Sequence, residues 1–335
     1  MTLVAGSYEK FIWGYKLQST GTPTLKPLFS YPAHLSTIKC VAVSGPVAVS
    51  GGADDAIKIY DLPSSSEVGS LMDHKGAVTA LSFYNLSSLA FPRNLLSGSD
   101  DGTVSIYDAD PFVHLKTIMA HKKGVNDLGI HPSGKLALTV GRDSCLAMLN
   151  LVRGRRSFYC RLDKEATIAE DAKLVLEMES QKPILCAASA MNGLLFTGGE
   201  DRNVTAWDTN TGKVAYCIEG AHSTRVKGIV VLTNRSDAIE EADDPYLVAS
   251  ASSDGVIRVW DVRMAKKENS TPLAEANTKS RLTCLAGTSL KCKLFDLKIL
   301  LLLDFVLDFN CALAFSSAVK RPNPGDSVAN KEEEE

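Results

Sequence analysis

The chain has 335 residues, 45% of them hydrophobic, so it can bury a sizeable core. A net charge of -3 and a pI near 6.1 exclude a global basic field for nucleic-acid binding, so any phosphate contact must come from a local patch. The eight cysteines are scattered without a CxxC pair, which excludes the paired spacing of a zinc site and suggests reduced thiols inside a cell.

From the N-terminus, Met1 to Tyr15 lacks a basic stretch followed by an apolar run and does not read as a secretory signal. It carries a weak form of a pattern that recurs downstream, with Ala5, Glu9 and Tyr15 at the marked places. The first strong copy is Ala48 to Asp61, AVSGGADDAIKIYD, followed by Leu95 to Asp108, LLSGSDDGTVSIYD. Ala137 to Asn150 (ALTVGRDSCLAMLN), Leu195 to Asp208 (LFTGGEDRNVTAWD) and Val248 to Asp261 (VASASSDGVIRVWD) complete the set. In each copy a Ser or Thr precedes an Asp by four residues: Ser50/Asp54, Ser97/Asp101, Thr139/Asp143, Thr197/Asp201 and Ser250/Asp254. A large residue follows each Asp by six: Tyr60, Tyr107, Leu149, Trp207 and Trp260. Successive aspartates are 47, 42, 58 and 53 residues apart.

Each copy predicts a strand, a tight turn and a second strand, because apolar residues alternate at period two around an Asp- and Gly-rich turn. A lone antiparallel sheet of this kind cannot bury both of its faces. Radial stacking solves that and leaves only short edges, so the fold class is all-β, a propeller. The repeat resembles the WD40 family from Met1 to about Leu290. In that family a His before the first strand of a blade completes a hydrogen-bond network with the Ser/Thr, the Asp and the aromatic residue. Here the resemblance gives that place to His34, His74, His121 and His222. A His–Asp–Ser set also suggests a catalytic triad, but a set that recurs blade after blade marks a repeat unit. No phosphate-binding loop, zinc spacing or nucleophile elbow is present, so neither cofactor nor enzymatic activity is expected.

The first copy begins on a middle strand. Arg281 to Ala286 resembles Val78 to Phe83 and can supply the missing inner strand, so that both termini share one blade and close the ring. With blades near 34–73, 74–120, 121–162, 182–221 and 222–277, the count is six, whereas the family ring has seven. Residues 163–181 are too few for a blade and read as the remnant of one; the alternative is a true six-bladed ring with a long connection. Residues 291–318 depart from the repeat. Their apolar run, Ile299 to Phe315, contains Asp304, Asp308 and Asn310 and is not read as a membrane span. It is either packed on the ring or without an evolved structural role. Residues 319–335 are rich in Pro, Asn and Glu and are expected to be a disordered acidic tail.

The irregular copies narrow the resemblance. The opening VAGSYEKFIWGYKL, RLDKEAT (Arg161 to Thr167), ILCAAS (Ile184 to Ser189) and HSTRVKGIVVL (His222 to Leu232) resemble the p21-activated protein kinase-interacting protein 1-like group, relatives of a yeast nucleolar factor. That resemblance implies a non-catalytic scaffold in the nucleus and nucleolus. Its expected partners are pre-60S ribosomal proteins and assembly factors, with a local or indirect rRNA contact, and it would be a monomer within a larger assembly. It also implies the alternative of an adaptor that restrains p21-activated kinase. The family tail is Lys-rich, whereas this chain ends in Lys331 and four Glu. Candidate partner contacts are the cluster Arg153, Arg155 and Arg156, suited to gripping phosphates, and Arg263. Arg263 belongs to a W-D-x-R signature found in substrate receptors of cullin-based ubiquitin ligases. The bland reading of each cluster is a solvated loop.

Overall fold

A computed structural model describes residues 1–18, 22–86, 91–161, 180, 182–190, 193–232, 247–264 and 271–288. All regular elements among them are strands. They form six antiparallel sheets of four strands each, in a six-bladed β-propeller arrangement. Blade one contains β1 (Thr2–Ser7), β2 (Phe11–Gln18) and β3 (Thr24–Pro32). Blade two is β4 (Ile38–Ser44), β5 (Val47–Gly52), β6 (Ile57–Asp61) and β7 (Ser66–Leu71). Blade three is β8 (Val78–Tyr84), β9 (Asn94–Ser99), β10 (Thr103–Asp108) and β11 (Val113–Met119). Blade four is β12 (Val125–Ile130), β13 (Leu136–Gly141), β14 (Cys145–Asn150) and β15 (Arg155–Arg161). Blade five is β16 (Ile184–Ser189), β17 (Leu194–Gly199), β18 (Val204–Asp208) and β19 (Val214–Ile218). Blade six is β20 (Val226–Leu232), β21 (Leu247–Ser252), β22 (Val256–Asp261) and β23 (Ala274–Asn277). The last strand, β24 (Leu282–Thr288), pairs antiparallel with β1 and completes blade one as its inner strand. The ends of the ring therefore close on one sheet.

Burial follows the order of the strands. The second strands are apolar on both faces and sealed between neighbouring sheets; every residue of β5 and β21 is buried. The fourth strands form the circumference and are mostly exposed, as in β7 and β11. Between the second and third strands runs one tight turn, repeated in all six blades. The residue after its acidic position has a left-handed backbone each time: Lys10, Asp55, Gly102, Ser144, Arg202 and Gly255, with φ from 57 to 84°. Gly holds that conformation at little cost, and the other residues store strain there.

Neighbouring inner strands pack against each other, with β24 on β4, β4 on β8, β8 on β12, β16 on β20 and β20 on β24. Four of these seams are tied by a side chain that donates to the first inner carbonyl of the next blade. Thr283 Oγ1 reaches Ile38 O at 2.7 Å and Thr79 Oγ1 reaches Val125 O at 2.6 Å. Cys40 Sγ lies 3.5 Å from Val78 O, and Cys186 Sγ 3.7 Å from Val226 O. The close approach also needs small residues in the second strands: a Cβ on Gly51 or Gly98 would stand 2.6–2.7 Å from Val78 or Val125.

Among the described residues β12 and β16 form no comparable seam. Blade four instead gathers Leu138, Leu146 and Met148 with Leu136, Val140, Phe158 and Cys160 of its own sheet. Val140 occupies the place where Gly51 and Gly98 admit the next blade. The segment 163–181, read above as a blade remnant, lies outside the described residues apart from Ser180, as do 291–318 and 319–335.

Candidate functional site

The repeated side chains meet at one end of each blade, here called the upper face, where the tight turn lies beside the loop leading into the inner strand. In blade six the chemistry fixes the direction of every bond. Trp260 Nε1 can only donate, and it lies 2.8 Å from Ser250 Oγ. Ser250 then gives its own proton to His222 Nε2 at 2.8 Å. That leaves Nδ1–H of His222 for Asp254 at 3.3 Å. Asp254 also accepts the backbone N–H of Ser223 at 3.0 Å. The carboxylate thereby bridges two loops that are 31 residues apart in the chain.

Blade two repeats this with Tyr60 in place of Trp. Tyr60 OH lies 2.7 Å from Ser50 Oγ, Ser50 2.7 Å from His34 Nε2, and His34 Nδ1 2.8 Å from Asp54. In blade three, Ser97 Oγ is 2.6 Å from His74 Nε2, while Nδ1 lies 3.2 Å from Thr103 Oγ1 and 3.4 Å from Asp101. Tyr107 departs from the set: its ring is buried beside Ser97, but its hydroxyl makes no hydrogen bond to a described residue. Burial pushes its pKa up to about 12.

In blade four the apolar Leu149 stands where the aromatic would be. His121 still bridges Thr139 at 2.9 Å and Asp143 at 3.0 Å. A residue from the outer strand makes up the loss: Tyr159 OH donates to Asp143 at 2.7 Å. Blade five keeps the bond from Trp207 Nε1 to Thr197 Oγ1 at 2.8 Å, and Asp201 accepts Asn203 N–H at 3.3 Å within its own turn. Blade one has neither His nor Asp. Buried Thr278 stands at the His position, and Glu9 accepts the backbone N–H of Arg281 at 2.9 Å and its guanidinium at 3.1 Å.

The charges are tuned by this packing. Burial works to raise the carboxylate pKa values, and the donors overcome it. Hydrogen bonds from Tyr159 and the Lys122 N–H, with the His121 ring alongside, hold Asp143 down to about 2. Asp54, Asp101 and Asp254 are lowered in the same way. Burial lowers the pKa of His74, more than Asp101 raises it, so its neutral ring is favoured.

The cationic candidates separate. Arg156 is committed within the protein, donating to Ala120 O at 2.7 Å and lying 4.2 Å over the Tyr159 ring. Arg153 and Arg155 are exposed at the opposite end of blade four and on its outer strand. Arg263 folds onto Asp261 in an ion pair of 2.6 Å. Sequence reasoning missed Tyr159, Thr278 and the seam donors Thr79 and Thr283. Tyr159, Thr79 and Thr283 lie outside the repeating motif and act on a neighbouring strand or blade, while Thr278 holds the His place without being a His. The six described cysteines are free thiols.

Six radial sheets, a recurring Ser/Thr–Asp turn and terminal strands sharing a blade define a WD-repeat β-propeller. The WD domain, G-beta repeat family matches residues 25–61, 65–108, 112–148 and 238–261. The chain is 34% identical over 306 residues to p21-activated protein kinase-interacting protein 1-like of Danio rerio, covering 84% of this chain and 79% of that protein. It is 38% identical over 314 residues to p21-activated protein kinase-interacting protein 1 of Homo sapiens, covering 85% and 76%. Protein MAK11 of Saccharomyces cerevisiae is 32% identical over 183 residues, 49% of this chain and 44% of that protein. The chain belongs to the p21-activated protein kinase-interacting protein 1-like family of WD-repeat proteins.

Proposed function

We propose that this chain is a non-catalytic scaffold in maturation of the large ribosomal subunit, acting in the nucleolus through contacts with pre-60S ribosomal proteins and assembly factors. The observation that supports a scaffold is the engagement of the reactive-looking residues: His34, His74, His121 and His222 are all buried and bound within the protein. What remains outward is a propeller with two loop-bearing faces, suited to several partners at once. The link to the large subunit rests on the resemblance of the irregular segments to the family that includes relatives of a yeast nucleolar factor. The test is co-sedimentation of tagged protein with pre-60S particles. Enrichment in that fraction is expected; absence from it would remove this role.

A second reading is favoured by the names of the animal relatives, p21-activated protein kinase-interacting protein 1 and its 1-like forms. In it the chain binds a p21-activated kinase and restrains it. Purified components decide: a direct complex at micromolar concentration supports the adaptor, and a failed pull-down rejects it.

A further inference from the structure

Five of the six seams between blades share one construction, an apolar core drawn from two sheets. In those seams three side chains of a blade face the sheet before it. The first residue of the inner strand is Ile38, Val78, Val125, Val226 or Leu282, and none is more than 1% exposed. The second residue of the adjoining strand is Leu3, Ala48, Leu95, Ala137 or Val248, each wholly buried. The large residue of the repeat, Tyr15, Tyr60, Tyr107, Leu149 or Trp260, joins the same core. Blade five breaks all three rules. Ile184 is 44% exposed, Leu195 is only half-buried, and Trp207 joins no apolar cluster among the described residues. Next to Ile184, Leu185 is exposed and apolar where other blades carry Lys39, Thr79, Asn126, Lys227 or Thr283. Across the seam the cluster of blade four contains no residue of blade five.

Blade five thus turns an unpartnered apolar face toward blade four, and such a patch marks a contact surface. The chain itself holds a matching element. In the run 299–315 the odd-numbered residues are all apolar, beginning Ile299, Leu301, Leu303, Phe305, Leu307 and Phe309. Asp304, Asp308 and Asn310 all fall on even positions. An extended chain with that alternation has one wholly apolar side, as a strand laid on a sheet requires. The run can also reach the face. β24 ends at Thr288 at the lower mouth of the channel, the end of the ring at which Leu195 lies. β24 packs on β20 and β20 on β16, so at about 10 Å per step the face is about 20 Å away. Residues 289–298 span about 33 Å when extended.

We propose that residues 299–315 of the same chain cover this face of blade five, with their apolar side against Ile184 and Leu195, and close the seam to blade four. A second copy is a weaker competitor, because a tether of this length holds the segment at an effective concentration of about a millimolar. The connection 163–181 carries a shorter alternation, Leu174, Leu176 and Met178, and is the alternative occupant that the test separates. Of the two, 299–315 has the more apolar surface to lose by staying in water. The assignment concerns how the ring is completed and holds whether or not the chain joins pre-60S particles.

The test uses the full chain with Ile184→Cys and, as a freely exposed reference, Val152→Cys, at a position 74% exposed. Alkylation at each site is followed peptide by peptide by mass spectrometry. Ile184→Cys is expected to react at least about tenfold more slowly than Val152→Cys, and as slowly after about hundredfold dilution, because the cover is tethered. Adding Leu303→Asp, Phe305→Asp and Leu307→Asp puts charge on the apolar side of the segment and is expected to bring the rate within about threefold of the reference. A second measurement needs no charged substitution. Ile184→p-benzoylphenylalanine, irradiated in the full chain, is expected to cross-link to residues 299–315 of the same molecule. Equal reactivity of Ile184→Cys and Val152→Cys would overturn the assignment. So would protection that survives the three aspartates or fades on dilution, or cross-links confined to 163–181, to blade four or to a second copy.

Discussion

Ser250→Ala tests the bond directions derived for blade six. Ser250 is fully buried and serves two partners at once, Trp260 Nε1 and His222 Nε2, each at 2.8 Å. Its removal strands a buried donor and a buried acceptor together. An unsatisfied buried group costs about 1–3 kcal/mol, so the expected loss for the two is about 2–6 kcal/mol. Against a typical total of about 5–15 kcal/mol that is a large fraction. Thr139→Val in blade four is the internal control. Leu149 there has no proton to give, so no aromatic donor is stranded; His121 Nε2 loses its partner, along with a long 3.4 Å contact from Thr139 to Ala147 O, and the loss should be about 1–3 kcal/mol. Urea unfolding followed by circular dichroism measures both variants against the wild type. Ser250→Ala should be the less stable by at least about 1 kcal/mol. Equal losses, or a larger one for Thr139→Val, would refute the claim that the aromatic N–H terminates a chain of bonds.

Four further outcomes are expected. Gly255→Ala should cost about 1–3 kcal/mol in a thermal melt, because φ is +84° and the new Cβ would stand 2.8 Å from Ser280 O. Ser144→Gly, at the same turn position with φ 57°, should be neutral or stabilising by up to about 1 kcal/mol; a destabilised Ser144→Gly would deny that strain is stored there. In a pH series of urea midpoints, stability should be full above His74's ordinary value of 6.5 and decline below it, since its folded pKa is depressed and the unfolded chain takes the proton first. The aspartates add a second loss: their folded values lie below 3.8, so their contribution holds above that value and disappears as the pH falls through the folded values. A midpoint that rises as the medium is acidified from neutrality would contradict both signs. Alkylation of the native chain should spare buried Cys40 and half-buried Cys284, whose thiol pKa values are raised by burial, Cys284 up to about 11; mass spectrometry showing them among the first sites modified would count against this packing.

The sequence carried the repeat because its marks are local. The Ser/Thr, the Asp and the large residue sit at fixed offsets around one turn, and the turn sets their register without help from other blades. The sharing of blade one by β24 and β1 was readable too, because an unpaired middle strand at the start demands a partner. What depends on neighbours was not readable. Tyr159 reaches Asp143 from an outer strand whose other residues look like surface. Thr79 and Thr283 look like ordinary strand threonines until the next blade supplies a carbonyl. Tyr107 and Tyr60 occupy the same place in the repeat, yet only Tyr60 hydrogen-bonds its serine. Offsets cannot report such small differences in ring placement.

The pairing of Thr2 with Thr288 has a consequence for how the chain is made. During synthesis β1 emerges first and can pair with β2, but its inner edge waits until almost the whole ring has left the ribosome. Throughout that interval a row of backbone donors and acceptors stands open beside apolar Leu3, Val4 and Ala5, inviting the wrong neighbour. A nascent chain stalled before residue 282 should therefore depend on chaperones far more than the finished product does.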